Sequence, residues 1–463
     1  MAPAPRLDDA VVGKLAARFA GELIVPTSPA YHEARTLWNR MIDRRPVLIA
    51  RPADAEAARR TVTFAREHGL PVSVRGGGHN VSGSALVEGG VVVDHRLRRA
   101  VRVDPAARTV EVEPGVLLGE LDRATAAHGL AVPVGIQTTT GVAGLSLGGG
   151  IGWLMRRDGL TCDHLMAADL LTADGDIVLV DAERNPDLLW ALRGGGGNFG
   201  IVTRFLFRAR ELGPRVLAGI VLFAMDEGEA VLRRYRDWAA ALPDSVTTVV
   251  SLRTVLPLPG IPTELHGRRA VGVAVCQTDE RAEAWLAPIR RFGTVLFDNI
   301  APKSFVAHQA LFDPSVPAGL GYYWKSHFLP ALDDGAIDAL VEQNRRAPQP
   351  WSYTLVFQMG GAVARVGAGA TAFAGRAAPF AVNINGVAES PSSDEVVTAW
   401  TRATFDALAP FSTGGVYVNF LGDEGEARTR AAYGTAYDRL AALKARYDPD
   451  NVFRSNQNVR PAR

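Results

Sequence analysis

Three glycine clusters constrain this chain more than any other feature. They lie at Gly76–Gly78 in "PVSVRGGGHN", Gly141–Gly152 in "TTGVAGLSLGGGIGWL" and Gly194–Gly200 in "RGGGGNFG". Glycine loses more conformational freedom on folding than any other residue, so such runs suit places where the backbone itself must approach something closely. Successive peptide N–H groups in these loops make a concave nest for an anion. The 47 glycines are clustered rather than periodic, which argues against a collagen-like repeat or a flexible linker. Three such loops in the first half of the chain point to one large phosphate-bearing ligand rather than three unrelated tight turns.

The segments between the loops read as regular elements. "PVLIARP", "ADAEAARRTVTFAREHG" and "LPVSVRG" predict a strand–helix–strand unit that delivers the chain into the first loop. Residues 100–116 and 166–182 predict hairpins, and 117–129 an amphipathic helix between them. "NPDLLWALRGGGGNFGIVTRFLFRA" predicts a helix, the third loop and a strand. Beyond about residue 210, helices such as "EGEAVLRRYRDWAAAL" and "DERAEAWLAPIRRFG" alternate with strands such as "RAVGVAVCQ", "YTLVFQMGGAVARV" and "AVNINGVAE". The end, 433–459, predicts a helix, an Asp-Pro turn and a polar tail.

A chain of 463 residues is too long for one simple core. Its net charge of +1 gives no broad attraction to nucleic acid or to an anionic membrane, so the expected partner is a small molecule. "MAPAPRLDDAVVGKLAARF" lacks the apolar core of a signal peptide. No run approaches the ~18 uncharged apolar residues of a membrane span. The expectation is a soluble cytoplasmic protein, monomer or homodimer. Two cysteines, Cys162 and Cys276, make no disulfide framework. "GGGNFG", Gly195–Gly200, fits G-x-G-x-x-G, but it follows a helix and leads into a strand, the reverse of the dinucleotide fingerprint, and no well-placed acidic residue follows.

"PVSVRGGGHN-SG", "TTGVAGLSLGGGIGWL-R--GLTCD", "DLLWALRGGGGNFGIVT-F" and "YDPDNVFRSNQNV" together resemble the berberine-bridge-enzyme-like flavoproteins of the vanillyl-alcohol-oxidase fold. The resemblance is densest over 71–208 and 447–459 and thinnest over 215–350. It implies an α+β fold: a two-part PCMH-type FAD-binding domain, 1–210 and 415–463, with an inserted α+β substrate-binding domain, 211–414, built as an antiparallel sheet covered by helices. It also implies FAD held at Arg75, Gly76, Gly77, Gly78, Asn80, Thr139, Gly141, Gly144, Gly148, Gly149, Gly152, Gly200, Val202 and Asn456. Asn456 and Gln457 are expected to close over the flavin edge, with Phe453 buried beneath them.

By the same resemblance His79 joins the 8-alpha carbon of FAD and Cys162, in the "GLTCD" position, adds to ring carbon six, giving a doubly tethered flavin. A neutral imidazole and a thiolate are competent nucleophiles for these carbons. Without that resemblance, each would read as an ordinary capping or core residue, as Cys276 does. The Y-x-N segment in "GGVYVNF" implies Tyr417 as the base and Asn419 as its support, on one face of a strand. In the inserted domain, Gln358 and one of Tyr322 or Tyr323 are candidates for the pocket, beside Lys325, Tyr353, Asn383 and Asn385. The implied activity is an oxidase taking a hydride from a C–H next to O or N of a sugar or natural-product alcohol, with O2 as acceptor and H2O2 as product. Small residues at Val142 and Ala143 favour access of O2. The alternatives are oxidative cyclisation or desaturation of an alkaloid or polyketide, a dehydrogenase with another acceptor, and a flavoprotein that only binds a metabolite.

Overall fold

Helix Ala55–Glu67 illustrates how local sequence sets the elements around the first loop. The Asp54 carboxylate caps it by accepting from Ala57 N at 2.7 Å. Ala57, Ala58, Thr61, Val62 and Ala65 recur at helical spacing and are buried. Gly69, at φ +64°, ends it. In the computed structural model, which describes residues 7–279 and 283–463, this helix packs on a four-stranded sheet ordered Gly21–Ile24, Leu48–Pro52, Val91–Asp94, Val72–Arg75. The last three strands run parallel, and Val91–Asp94 is inserted between the two strands of the expected strand–helix–strand unit. Val72–Arg75 therefore lies at the sheet edge and releases the first glycine loop from its C-terminal end.

A five-stranded antiparallel sheet follows, ordered Val101–Asp104, Thr109–Val112, Ile201–Arg208, Leu165–Leu171, Ile177–Val180. Both expected hairpins are present. Ile201–Arg208 leaves the third glycine loop and joins them at the centre.

Residues 216–388 contribute an eight-stranded antiparallel sheet. Its path runs Val295–Asp298, Val216–Ala224, Arg269–Gln277, Val246–Thr254, Tyr353–Gln358, Phe380–Ala388, Gly321–Leu329, with Ala301–Lys303 also paired to Val216–Ala224. Val250, Leu252, Val271, Val273, Val275, Val356, Val382 and Ile384 belong to a core shared with Leu232 and Tyr235 of helix Gly228–Ala240, Ile337 and Leu340 of Asp334–Arg345, and Trp400 and Leu408 of Asp394–Leu408. The alternate residues, among them Val249, Ala274, Trp324, Tyr353, Leu355 and Phe357, belong to a second core shared with the glycine-loop half. Both faces of this sheet are thus covered, and the α+β architecture of a helix-backed antiparallel sheet is the one expected.

Three local expectations change. The strand begun at Tyr353 stops at Gln358, because Gly360 and Gly361 take positive φ and lead into the short helix Ala362–Arg365. The segment 279–293 is broken: residues 280–282 lie outside the described residues, Glu283–Leu286 is one α turn, and Pro288 sits in a 3-10 turn after it. Tyr417 precedes a 3-10 turn, Val418–Phe420, rather than lying in a strand. Residues 1–6 of the N-terminal segment also lie outside the described residues. Among the described residues no helix is long and apolar enough to cross a membrane.

Candidate cofactor and substrate cavity

A cavity lies between the glycine loops and the face of the eight-stranded sheet opposite helices Gly228–Ala240, Asp334–Arg345 and Asp394–Leu408. The loops contribute Gly76, Gly77, Gly78, His79, Asn80, Gly141, Ala143, Gly144, Gly148, Gly196, Gly197, Gly200 and Val202. Trp324, Tyr353, Leu355, Phe357 and Asn383 come from the sheet, and Phe453, Ser455, Asn456 and Gln457 from the tail. All three loops therefore converge on one space, as the single-ligand reading requires.

The geometry explains some of the glycines directly. A Cβ on Gly77 would stand 2.4 Å from Gly141 N, and a Cβ on Gly141 would stand 2.3 Å from Gly77 N. The first two loops touch backbone to backbone, and no side chain fits between them. A Cβ added at Gly144 or Gly197 would meet nothing within 4 Å, so both border open space. Among the described residues, no Lys, Arg, Asp or Glu lines the cavity. A phosphate there meets peptide N–H groups and neutral side chains, the donor set of an anion nest.

His79 leaves the first loop and stacks on Trp38, ring centroids 4.0 Å apart at 19°. Trp38 stacks in turn on Tyr322 at 3.7 Å. His79 Nε2 is buried without a hydrogen-bond partner, and burial lowers the imidazole pKa to about 4. The ring is neutral at ordinary pH, and one nitrogen lacks a partner within the chain. His95 also lines the cavity; both its nitrogens are unpartnered, and burial, reinforced by the Arg98 charge, lowers its pKa to about 3.

Tyr417 and Asn419 also line the cavity and meet each other despite the missing strand. Tyr417 Oη accepts from Gly150 N at 2.7 Å and from Asn419 Nδ2 at 2.8 Å. Asn419 Nδ2 also donates to Leu145 O at 3.0 Å. Burial raises the phenol pKa, and the two N–H donors pull against that by favouring the phenolate. A chain of ring contacts joins this end to His79: Tyr417–Phe420 at 4.8 Å, Phe420–Trp324 at 6.0 Å, Trp324–Trp38 at 5.7 Å.

Several expected residues sit elsewhere. Gln358 faces the helices, where its amide donates to Ala239 O at 2.6 Å and accepts from Thr248 Oγ1 at 2.9 Å. Tyr323 also points to the helix side, its Oη accepting from Arg402 Nε at 3.2 Å. Each is one residue out of phase, since strand side chains alternate and Phe357 and Trp324 take the cavity face. Lys325, on the same face as Tyr323, pairs with Glu424. Tyr322 faces inward but is stacked behind Trp38.

Cys162 is not at the cavity. Its amide donates to Gly149 O at 2.8 Å, and its thiol is fully buried, 3.7 Å from the Asp163 carboxylate. Burial and that carboxylate push the thiol pKa well up, against thiolate formation. The Arg75 guanidinium turns away to Ala34 O at 2.8 Å, and burial lowers its pKa to about 10. Thr139 is exposed and Thr140 lines the cavity instead. Gly149 and Gly152 are packing glycines: a Cβ would meet the Phe373 ring at 2.8 Å and Val134 O at 1.7 Å. Ala143 lines the cavity, whereas Val142 is buried in the core. Cys276 is a buried strand residue whose thiol burial pushes up to about 12.

The tail is docked as expected. Phe453 is buried, Asn456 Nδ2 donates to Gly197 O at 3.0 Å, and Gln457 Nε2 reaches Leu421 O and Gly422 O, each at 2.9 Å. Lys444, itself fully buried, bonds Asn198 O at 2.6 Å and Phe453 O at 2.8 Å, joining the third loop to the tail. Trp38, Trp324, Phe357, Phe420 and His95 were not visible as site residues in the sequence. For the strand pair, the usable signal was the register that sets Asn383 and Asn385 on one face.

Residues 46–181 match the FAD binding domain family, and residues 416–460 match the berberine and berberine-like family. The chain is 30% identical over 457 residues to the FAD-linked oxidoreductase YgaK of Bacillus subtilis, covering 96% of this chain and 98% of that protein. It is 30% identical over 459 residues to (R)-6-hydroxynicotine oxidase of Paenarthrobacter nicotinovorans, covering 95% and 97%. The crystal structure of 6-hydroxy-D-nicotine oxidase from Arthrobacter nicotinovorans superposes with a TM-score of 0.86 at 28% identity, covering 96% of this chain and 98% of that one.

Proposed function

Since the chain belongs to the berberine-like FAD-linked oxidoreductases, we propose that it is an oxidase that takes a hydride from a C–H bond next to oxygen or nitrogen and passes the electrons to O2, giving H2O2. FAD, when bound, supplies the two-electron acceptor. The observation that carries this reading is the convergence, in one uncharged cavity, of three glycine loops, a neutral unpartnered His79 and the Tyr417–Asn419 pair.

The loops at 76–80, 141–148 and 196–202 and the tail at 455–457 would hold the cofactor. The backbone contact of Gly77 with Gly141 and the unpartnered Nε2 of His79 both fit it. His79, neutral and buried, would be one covalent attachment point, and Cys162 the second. Tyr417 Oη would hold the proton that leaves the substrate as its C–H bond breaks. Its two N–H donors favour the phenolate that accepts it, and Asn419 fixes the ring's position. The buried aromatic wall excludes water from the reacting carbon. Ala143, a small side chain at the cavity surface, leaves room for O2.

The test is flavin content followed by turnover. Flavin should remain with the denatured polypeptide, bleach under anaerobic substrate, and recover its colour in air with one peroxide released per substrate. Release of all flavin on denaturation would remove the tether. Bleaching without peroxide in air would make the enzyme a dehydrogenase.

A further inference from the structure

The sheet wall of the cavity narrows the substrate, on the premise of the oxidase reading above. We propose that the substrate is an uncharged alcohol whose oxidised carbon adjoins a flat apolar ring system, and that it presents an acceptor oxygen to Asn383 and Trp324. Saccharides and cationic amines fit this wall poorly.

The wall is apolar and aromatic. Phe420 stands edge-on to Trp324 at 84° and to Tyr417 at 81°, with Phe357 5.7 Å away. Leu355 and Tyr353 extend the same face. Edge and face contacts of this kind receive a planar ring. A polyol would bury hydroxyls against Leu355, Phe357 and Phe420, where they find no partner.

Charge points the same way. The cavity lining, among the described residues, holds no carboxylate to meet an ammonium group, and both lining imidazoles are held neutral by burial. Arg253 already lies over the Tyr353 ring, 5.0 Å from its centroid, bonded to Ser315 Oγ at 2.9 Å. Among the described residues it has no carboxylate within ion-pair distance. Its positive field opposes a second cation at that ring and favours an electron-rich oxygen.

Two donors wait for that oxygen. Asn383 Nδ2 and Trp324 Nε1 are buried at the cavity and have no partner in the chain. Asn383 pairs with Ser326 and Trp324 with Asn385 across adjacent strands, so the two donors are diagonal neighbours on one face. Buried donors are nearly always satisfied, and a ligand acceptor supplies what the chain does not. In the reaction the carbinol C–H leaves with its electron pair as hydride to FAD, the hydroxyl proton passes to Tyr417, and a C=O bond forms. The product keeps an acceptor oxygen.

The test uses the FAD-loaded enzyme under anaerobic conditions. Benzyl alcohol, xylobiose and N-methylpyrrolidine are each mixed with it and bleaching of the flavin is timed. Benzyl alcohol is expected to reduce the flavin at least about 100-fold faster than the other two at equal concentration. Acetophenone and ethylbenzene are then titrated as unreactive ligands, read by perturbation of the flavin absorbance. Asn383→Leu should weaken acetophenone by about tenfold and leave ethylbenzene unweakened. Asn383→Asp, which keeps the size and removes the donors, should lose acetophenone to the same extent if the leucine variant does not fold. Equal or faster reduction by xylobiose or the amine overturns the proposal. So does acetophenone affinity that ignores both variants. If no member of the panel bleaches the flavin, the oxidase reading fails, and the acetophenone titration still decides whether the wall binds a ring with an acceptor oxygen.

Discussion

Replacing Lys444 with Met should loosen the cavity from behind. The Lys444 and Asp448 side chains are both fully buried. Nζ spends its three protons on Asp448 Oδ2 at 2.6 Å, Asn198 O at 2.6 Å and Phe453 O at 2.8 Å. Asp448 in turn accepts from Val452 N at 2.7 Å and Phe453 N at 2.9 Å. Methionine matches the length of lysine but leaves the carboxylate buried without its cation, a loss of about 3–5 kcal/mol. With an unfolding entropy of ~2.1 cal/mol/K per residue, a chain of this length should lose roughly 3–5 °C in Tm if it unfolds as one unit. Thermal unfolding followed by flavin fluorescence and far-UV circular dichroism reads both halves of the effect. The flavin signal should change first, because Asn198 and Phe453 belong to the loop and tail that line the cavity. Adding Asp448→Asn should recover part of the loss, since no lone charge then stays buried. A single variant that unfolds within about 1 °C of the parent would refute the energetic reasoning.

Other outcomes follow from the site. His79→Ala and Cys162→Ala should each leave a singly tethered flavin on the denatured chain, read by intact mass; flavin lost from the histidine variant alone would leave His79 as the single tether. Tyr417→Phe should slow anaerobic flavin reduction by about 100-fold or more. Because burial raises the Tyr417 pKa, the parent rate should climb with pH into the alkaline range, and a rate flat from neutral upward would remove Tyr417 as the base. Asp122 is buried, accepts from Gln309 Nε2 at 2.8 Å, and has its pKa raised from 3.8 to about 7, chiefly by burial. A raised acid contributes stability below its unfolded pKa and loses it as pH rises through the folded one, here roughly 4 kcal/mol between about pH 4 and about pH 7. Asp122→Asn should flatten that slope in urea titrations at several pH values; an unchanged slope would place the dependence elsewhere.

The positions of the glycine loops, the docked tail and the meeting of Tyr417 with Asn419 were legible from sequence, because turn residues and spaced motifs are local signals. Strand phase in the inserted sheet was not. Tyr353–Gln358 is buried at every position, so no polar alternation marks which side faces the ligand. Gln358 and Tyr323 were chosen by chemistry and fell on the wrong side by one residue. Cys162 is a different case. Its motif is present, and the turn Thr161–His164 buries the thiol beside the Asp163 carboxylate. The role of Gly77 and Gly141 was half legible: the sequence asked for close approach and suggested a phosphate, whereas the two loops also approach each other. Trp38 offered no local cue, since its partners His79 and Tyr322 are distant in sequence.

The docking of Asn456 and Gln457 against the third loop and the 421–422 turn sets a timetable for biosynthesis. His79 and its loop leave the ribosome early, but the residues that close their cavity are nearly 380 positions later. A nascent chain can fold its first sheet long before it has a complete place for the cofactor. Capture of FAD, and any bond from His79 to it, would therefore wait until the segment 455–457 has been made and has docked. Cofactor supply during expression should govern how much of the finished protein is loaded, rather than how much of it folds.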